Sequence, residues 1–122
     1  MKNDMKEILF TEQQLTDKVA ELGARITADY RGKNPLIISV LKGSYIFMAD
    51  LTRKIEIPCN IDFMVVSSYG SGTKTSGEVQ IIKDIGQKIE GRDLIIVEDI
   101  LDSGVTLNYL MKILKARGAN SI

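Results

Sequence analysis

The run Leu94-Ile95-Ile96-Val97-Glu98-Asp99-Ile100-Leu101-Asp102-Ser103-Gly104-Val105-Thr106 passes from a continuous apolar segment, through two acids and a small glycine turn, into the start of a helix. An unbroken apolar run of this length, rather than an alternating one, is expected of a strand covered on both faces in a parallel sheet. Glu98 and Asp99 then emerge at the strand's carboxyl end. Open parallel sheets bind ligands in the crevice at that edge, where adjacent acids can accept hydrogen bonds from vicinal hydroxyls or help to hold a hydrated divalent cation. Asp102 to Thr106 has the makings of an anion site. Gly104 allows close backbone approach, Ser103 and Thr106 offer hydroxyls, and the helix that follows directs free N–H groups and the positive end of its dipole into the turn. Phosphate is the occupant this chemistry suits; the alternative reading is a solvated turn with an N-cap.

Upstream, a turn around Gly86 separates this run from a short predicted strand over Glu78 to Asp84, and another strand is predicted over Ile61 to Ser67. Between those two lies the polar, glycine-rich segment from Ser68 to Gly77, whose composition predicts mobility and which read plainly is an ordinary glycine-rich hairpin connection. Gly70-Ser71-Gly72-Thr73-Lys74-Thr75 is not a nucleotide P-loop, because Thr73 stands where that motif has glycine and no long helix follows. Earlier still, Leu36 to Leu41 is an apolar strand after Asn34-Pro35. Lys42-Gly43-Ser44 is a tight loop, and Tyr45 to Lys54 a helix carrying Ile46, Phe47, Ala49 and Leu51. This loop too sits at a strand end and a helix start, so it is either a second anion cradle or a plain strand–helix turn. Thr11-Glu12-Gln13-Gln14 reads as a capping box. Leu15, Val19, Leu22 and Ile26 follow at helical spacing as a core stripe, until Gly32 stops the helix. Downstream, a helix is predicted from about Gly104 to Lys115, with Leu107, Leu110, Met111 and Leu114 inward and Gly118 as its stop. The chain ends at Ala119-Asn120-Ser121-Ile122, where the next parallel strand would begin, and so reads as a fragment or a shortened protein.

A length of 122 residues suits one domain with a modest core. Acidic and basic residues balance at 16 each, which argues against a nucleic-acid partner, and no apolar run approaches the length of a membrane span. The expected ligand is small. Met1 to Lys6 lacks the apolar core of a signal peptide, and the single cysteine, Cys59, excludes an internal disulfide, so a reducing cytoplasm is the expected location. With no histidine in the chain, Cys59 reads as a packing or loop thiol. Ser-His-Asp and Cys-His catalysis and most zinc sites are excluded for the same reason. Acid–base work falls to carboxylates, lysines or tyrosines.

The segment from Leu94 to Thr106 resembles the phosphoribosyl pyrophosphate (PRPP) signature of the type I phosphoribosyltransferases: apolar strand, two acids, two apolar residues, Asp, a small residue, Gly, any residue, Thr. Val97-Glu98-Asp99-Ile100-Leu101-Asp102-Ser103-Gly104 is most similar to the hypoxanthine-guanine members, and Leu41-Lys42-Gly43 resembles their pyrophosphate loop. The resemblance implies an α/β fold, a mostly parallel twisted sheet flanked by helices, in one core domain over 1–122 that lacks the family's C-terminal strands and part of its hood. It implies purine salvage, with the 5-phosphoribosyl group of PRPP passing to hypoxanthine or guanine to give IMP or GMP and pyrophosphate. By residue, it implies Glu98 and Asp99 on the ribose hydroxyls, directly or through Mg²⁺. Asp102, Ser103, Gly104, Val105 and Thr106 would hold the 5'-phosphate, Leu41, Lys42 and Gly43 pyrophosphate, with Asp102 also the acid–base residue facing N7 of the base. Ser68 and Tyr69 would open a lid spanning 68–77, and Glu7 to Phe10 would contribute to the hood. In that family the Leu-Lys peptide can be cis, which is carried here to Leu41-Lys42 as an expectation. The family's base-reading residues lie beyond Ile122, so residues 1–122 alone are expected to keep PRPP affinity and to turn over poorly. A homo-oligomer, dimer or tetramer, is implied, with neither nucleic acid nor membrane as partner. The alternative function is a PRPP-sensing regulator on the same fold; a receiver-type phosphoacceptor would leave the phosphate turn after Glu98-Asp99 without a purpose.

Overall fold

The computed structural model describes residues 11–41, 44–68, 79–98 and 105–122. Leu36–Leu41 forms β1, and every side chain from Leu36 to Val40 is buried, as only a strand with neighbours on both edges and helices on both faces can be. Its neighbours are β2 (Asn60–Ser68) on one side and β4 (Leu94–Val97) on the other, both parallel to it, with Leu36 level with Asn60 and Leu94, and Ser39 level with Phe63 and Val97. β3 (Val79–Lys83) returns antiparallel along the outer edge of β2, with a register irregularity between Val65 and Val66, so the sheet order is β3-β2-β1-β4. The expected mostly parallel sheet is thus present, with one antiparallel edge.

Three helices complete the layers: α1 (Glu12–Asp29), α2 (Tyr45–Thr52) and α3 (Val105–Ala116). Period-two alternation in the strands sorts their side chains between the two faces. Leu36, Ile38, Val40, Met64 and Leu94 pack on Leu110 and Leu114 of α3. Ile37 and Val97 face Met48 and Leu51 of α2, with Val19, Leu22 and Ile26 of α1 and the half-buried Cys59 behind them. In α3, Leu110 and Leu114 are buried while Leu107 and Met111 are half-buried at the flanks of the predicted stripe. Gly118 follows the helix with φ +97°, as a left-handed stop requires. The capping box at Thr11 is formed: its hydroxyl accepts from Gln14 N at 3.0 Å, and the Gln14 side chain accepts from Thr11 N at 2.8 Å.

Two expectations need correction. Leu15 begins the stripe on α1 but is 54% exposed: it lines an open groove with Asp50, Arg53 and Lys54, and the stripe meets the core only from Val19 onward. Helix α2 stops at Thr52 rather than Lys54, and its buried residues are Met48 and Leu51 while Ile46 is 59% exposed. The pairing of α1 with the exit of α2 depends on Gly23. A Cβ there would meet the Cβ of Lys54 and lie 2.7 Å from the Lys54 carbonyl oxygen. One turn on, the buried Thr27 hydroxyl donates to Gly23 O at 2.8 Å and accepts from Glu56 N at 2.9 Å, tying the two segments together.

The amino ends of β1, β2 and β4 carry a separate polar network. Arg92 donates to Asn34 O and Asn60 Oδ1, and Asp93 accepts from the side chains of Asn120 and Ser121. Ser121 also pairs with Asp93 in parallel, so the chain after α3 comes back along the outer edge of β4. Beyond the carboxyl end of β3, Arg117 makes a two-pronged contact with Asp84 at 3.0 and 2.9 Å. Chiefly through these hydrogen bonds, Arg117 holds the Asp84 carboxyl below the usual aspartate range. A carboxyl depressed in the folded state adds stability above its unfolded pKa and loses it as pH falls through the folded value. The stability difference between the chain and Arg117→Ala, read from urea midpoints, is therefore expected to be full at neutral pH and to shrink as pH falls below the ordinary aspartate range. A difference that persists undiminished in acid would contradict the assignment.

Candidate active site

Because β1, β2 and β4 run parallel, their carboxyl ends Leu41, Ser68 and Val97 share one edge of the sheet, and antiparallel β3 starts at that edge with Val79. At β1 the chain leaves toward α2, on one face; at neighbouring β4 it leaves toward α3, on the opposite face. Two adjacent parallel strands whose connections part to opposite faces open a crevice between their carboxyl ends, the usual ligand position in open α/β sheets. Both helices point their amino ends at that edge.

The described residues put several predicted site positions there. Leu41 ends β1, two residues past the pairing of Ser39 with Val97; Glu98 follows Val97 directly and is half-buried. Ser68 ends β2, and Val105 and Thr106 are the first two residues of α3. Lys42, Gly43, Tyr69, Asp99, Asp102, Ser103, Gly104, the 69–77 part of the predicted lid, the Leu41-Lys42 peptide and Glu7 to Phe10 lie outside the described residues. Glu98 thus stands beside the end of β1, at the point where the chain leaves β4 for α3.

One pair of residues at this edge was not singled out from the sequence. Ser39 and Ser44 are both fully buried, and their hydroxyl oxygens lie 2.6 Å apart, one near the end of β1 and the other at the start of α2. The available signal was Ser39 itself, the one polar residue in Leu36-Ile37-Ile38-Ser39-Val40-Leu41.

Among the described residues, Asp84, Asp93 and Arg117 have clearly displaced pKa values at the other end of the sheet, and Cys59 is raised by burial. The causes at Asp84, Asp93 and Arg117 are hydrogen bonds and ion pairing within the fold, so these three mark structural ties rather than acid–base machinery. Among the described residues, no group of three or more His, Cys, Asp or Glu side chains gathers into a metal site, and no helix is long and apolar enough to cross a membrane.

This arrangement, a parallel sheet with a crevice between two strand–loop–helix units and an acid at its lip, is that of a phosphoribosyltransferase core. The family model described as "Phosphoribosyl transferase domain" matches residues 6–122, and the chain belongs to that family. Within it, the chain is 55% identical over its whole length to the hypoxanthine-guanine phosphoribosyltransferase of Streptococcus agalactiae, covering 68% of that protein. It is also 52% identical over its whole length to the bifunctional protein TilS/HprT of Listeria innocua, of which it covers 19%. Among solved structures, a hypoxanthine phosphoribosyltransferase from Staphylococcus aureus superposes with a TM-score of 0.88 at 46% identity, over 99% of this chain and 68% of that one.

Proposed function

We propose that this protein moves the 5-phosphoribosyl group of PRPP onto hypoxanthine or guanine, giving IMP or GMP and pyrophosphate in purine salvage. The observation that carries the reading is the pair of strand–loop–helix units side by side at the β1/β4 crevice. PRPP bears two anionic ends, and each unit offers one helix amino terminus to one of them. The β4–α3 unit, through Asp102 to Thr106, takes the 5'-phosphate. The β1–α2 unit, through Leu41, Lys42 and Gly43, takes the pyrophosphate. Glu98 and Asp99, between the two, accept hydrogen bonds from the ribose hydroxyls.

A carboxylate at a strand end beside a diphosphate fits Mg²⁺, a hard ion that keeps several waters and takes one or two carboxylates together with substrate oxygens. Glu98 and Asp99 would hold it, and when bound it neutralises charge on the departing pyrophosphate. The chain's own part is to bind, orient and exclude. Asp102, near a helix amino end that favours its carboxylate form, faces N7 and stabilises the protonated base as charge develops. The segment from Ser68 and Tyr69 to Gly77 closes over the reaction centre and keeps water from the oxocarbenium-like sugar. A cytoplasmic homo-oligomer completes the proposal.

The regulatory alternative finds no support among the relatives, which carry transferase names. The test is to incubate residues 1–122, and a full-length transferase that contains them, with PRPP, Mg²⁺ and hypoxanthine, guanine or xanthine in turn, following PRPP binding, nucleotide and pyrophosphate. PRPP binding by residues 1–122, and product from hypoxanthine or guanine with the longer transferase, are expected; failure of both to bind PRPP would overturn the reading.

A further inference from the structure

The buried Ser39–Ser44 pair has no evident purpose as core. All other residues from Leu36 to Leu41 are aliphatic, and an aliphatic side chain at position 39 would pack between Phe63 and Val97 with no polar group to satisfy. Ser44 is also spent in an unusual way. As the residue before α2 it holds the N-cap position, where a serine hydroxyl ordinarily accepts from the N–H groups of the first turn, a contact worth about 1 kcal/mol. Here its side chain makes no cap hydrogen bond. It turns back into the sheet and donates to the carbonyl of Val40 at 2.7 Å, while its own carbonyl accepts the first helical bond from Met48 N at 2.9 Å. A hydroxyl has one proton to give. With the Ser44 proton on Val40 O, the proton in the 2.6 Å contact must come from Ser39, and the chain of bonds runs Ser39 O–H to Ser44 Oγ, Ser44 O–H to Val40 O.

That chain staples both ends of the turn. Val40 and Ser39 precede it, Ser44 follows it, and the two bonds fix where the backbone leaves β1 and where it enters α2. It also leaves the first turn of α2 without a side-chain cap at the crevice.

We infer that Ser39 and Ser44 are positioning residues for the anion-binding turn of the β1–α2 unit, setting its affinity for the pyrophosphate end of the donor. This rests on the proposed transferase reading. A turn already fixed at both ends loses little freedom when a ligand binds it. Releasing the staple makes each binding event order the turn anew, and the cost falls on the pyrophosphate side alone, since the 5'-phosphate belongs to the β4–α3 unit.

The test uses the chain itself and two ligands that separate the halves of the site, magnesium pyrophosphate and ribose 5-phosphate, titrated by calorimetry. Ser44→Ala leaves the buried Ser39 hydroxyl without its acceptor, whereas Ser39→Ala keeps the Ser44–Val40 bond, so the double variant S39A/S44A is included to remove the whole chain of bonds without stranding a hydroxyl, with a thermal melt on each. The expected result is a pyrophosphate Kd raised about tenfold in Ser44→Ala and in the double variant and by less in Ser39→Ala, with the ribose 5-phosphate Kd kept within about twofold in all three. An unchanged pyrophosphate Kd would overturn the positioning role and leave the transferase reading intact. So would an equal weakening of both ligands that follows a lowered melting temperature. If the unsubstituted chain binds neither ligand, the transferase reading itself falls, and the positioning role with it.

Discussion

Replacing Asp102 with asparagine in a transferase that contains this segment is expected to lower turnover about a hundredfold while PRPP affinity changes by no more than a few-fold. The reasoning begins with the two tasks proposed for the turn from Asp102 to Thr106. Binding the 5'-phosphate relies on backbone N–H groups, the hydroxyls of Ser103 and Thr106 and the dipole of α3, none of which an amide at position 102 removes. Stabilising the protonated purine relies on negative charge near N7, which the amide does remove, and that interaction matters most where the charge is largest, in the transition state. Single-turnover rates and PRPP titrations on the same preparation separate the two. Equal turnover in the variant would refute the assignment of Asp102, and a matching loss of PRPP affinity would make it a binding residue only.

The largest expected effect on stability is that of Ile38→Ala. Ile38 is completely buried in the middle of β1, within the cluster that joins Leu36, Met64 and Leu94 of the sheet to Leu110 and Leu114 of α3. Truncation there removes buried methyl groups and leaves a cavity walled by a paired strand and a packed helix, neither of which can collapse into it freely. Such changes cost about 2–5 kcal/mol, and at this chain length each kcal/mol lowers the melting temperature by about 4 °C. The urea midpoint should fall with the slope unchanged, since the surface exposed on unfolding is nearly the same. Ile46→Ala supplies the contrast. That side chain is 59% exposed, and its loss should move stability by no more than about 0.5 kcal/mol. Similar effects from the two substitutions would contradict the core described for β1.

The elements were legible wherever a local pattern determines them. The unbroken Leu94-Ile95-Ile96-Val97 announces a strand buried on both faces, and the capping box at Thr11 sets the start of α1 to the residue. What depended on partners distant in sequence was not legible. The short connection before Val79 suits a hairpin better than a parallel crossover, but nothing around Val79–Lys83 shows the register irregularity between Val65 and Val66. Leu15 keeps the spacing of its stripe yet lies in an open groove beside Asp50 and Arg53, because periodicity reports a face of a helix and not how far that face is covered. Gly23 reads as an ordinary helical glycine until Lys54 is found against it, and Ser39 as a lapse in an apolar strand until Ser44 is found above it. For the site, the motif supplied residue types, while the sheet supplied the reason for two anion-binding turns to stand together: strands β1 and β4 are neighbours although more than fifty residues separate their starts.

The antiparallel pairing of Ser68 with Val79 bears on how this domain tolerates change in length. The connection over 69–78 starts and finishes on two backbone-paired residues, so its span is already closed by the sheet. The entropy of closing a loop grows only with the logarithm of its length, and each doubling costs about 0.6 kcal/mol. A tag or reporter peptide spliced into this stretch should therefore leave melting almost unchanged while altering any service the stretch performs for the reaction. Folding and turnover can in that way be engineered apart at a single place in the chain.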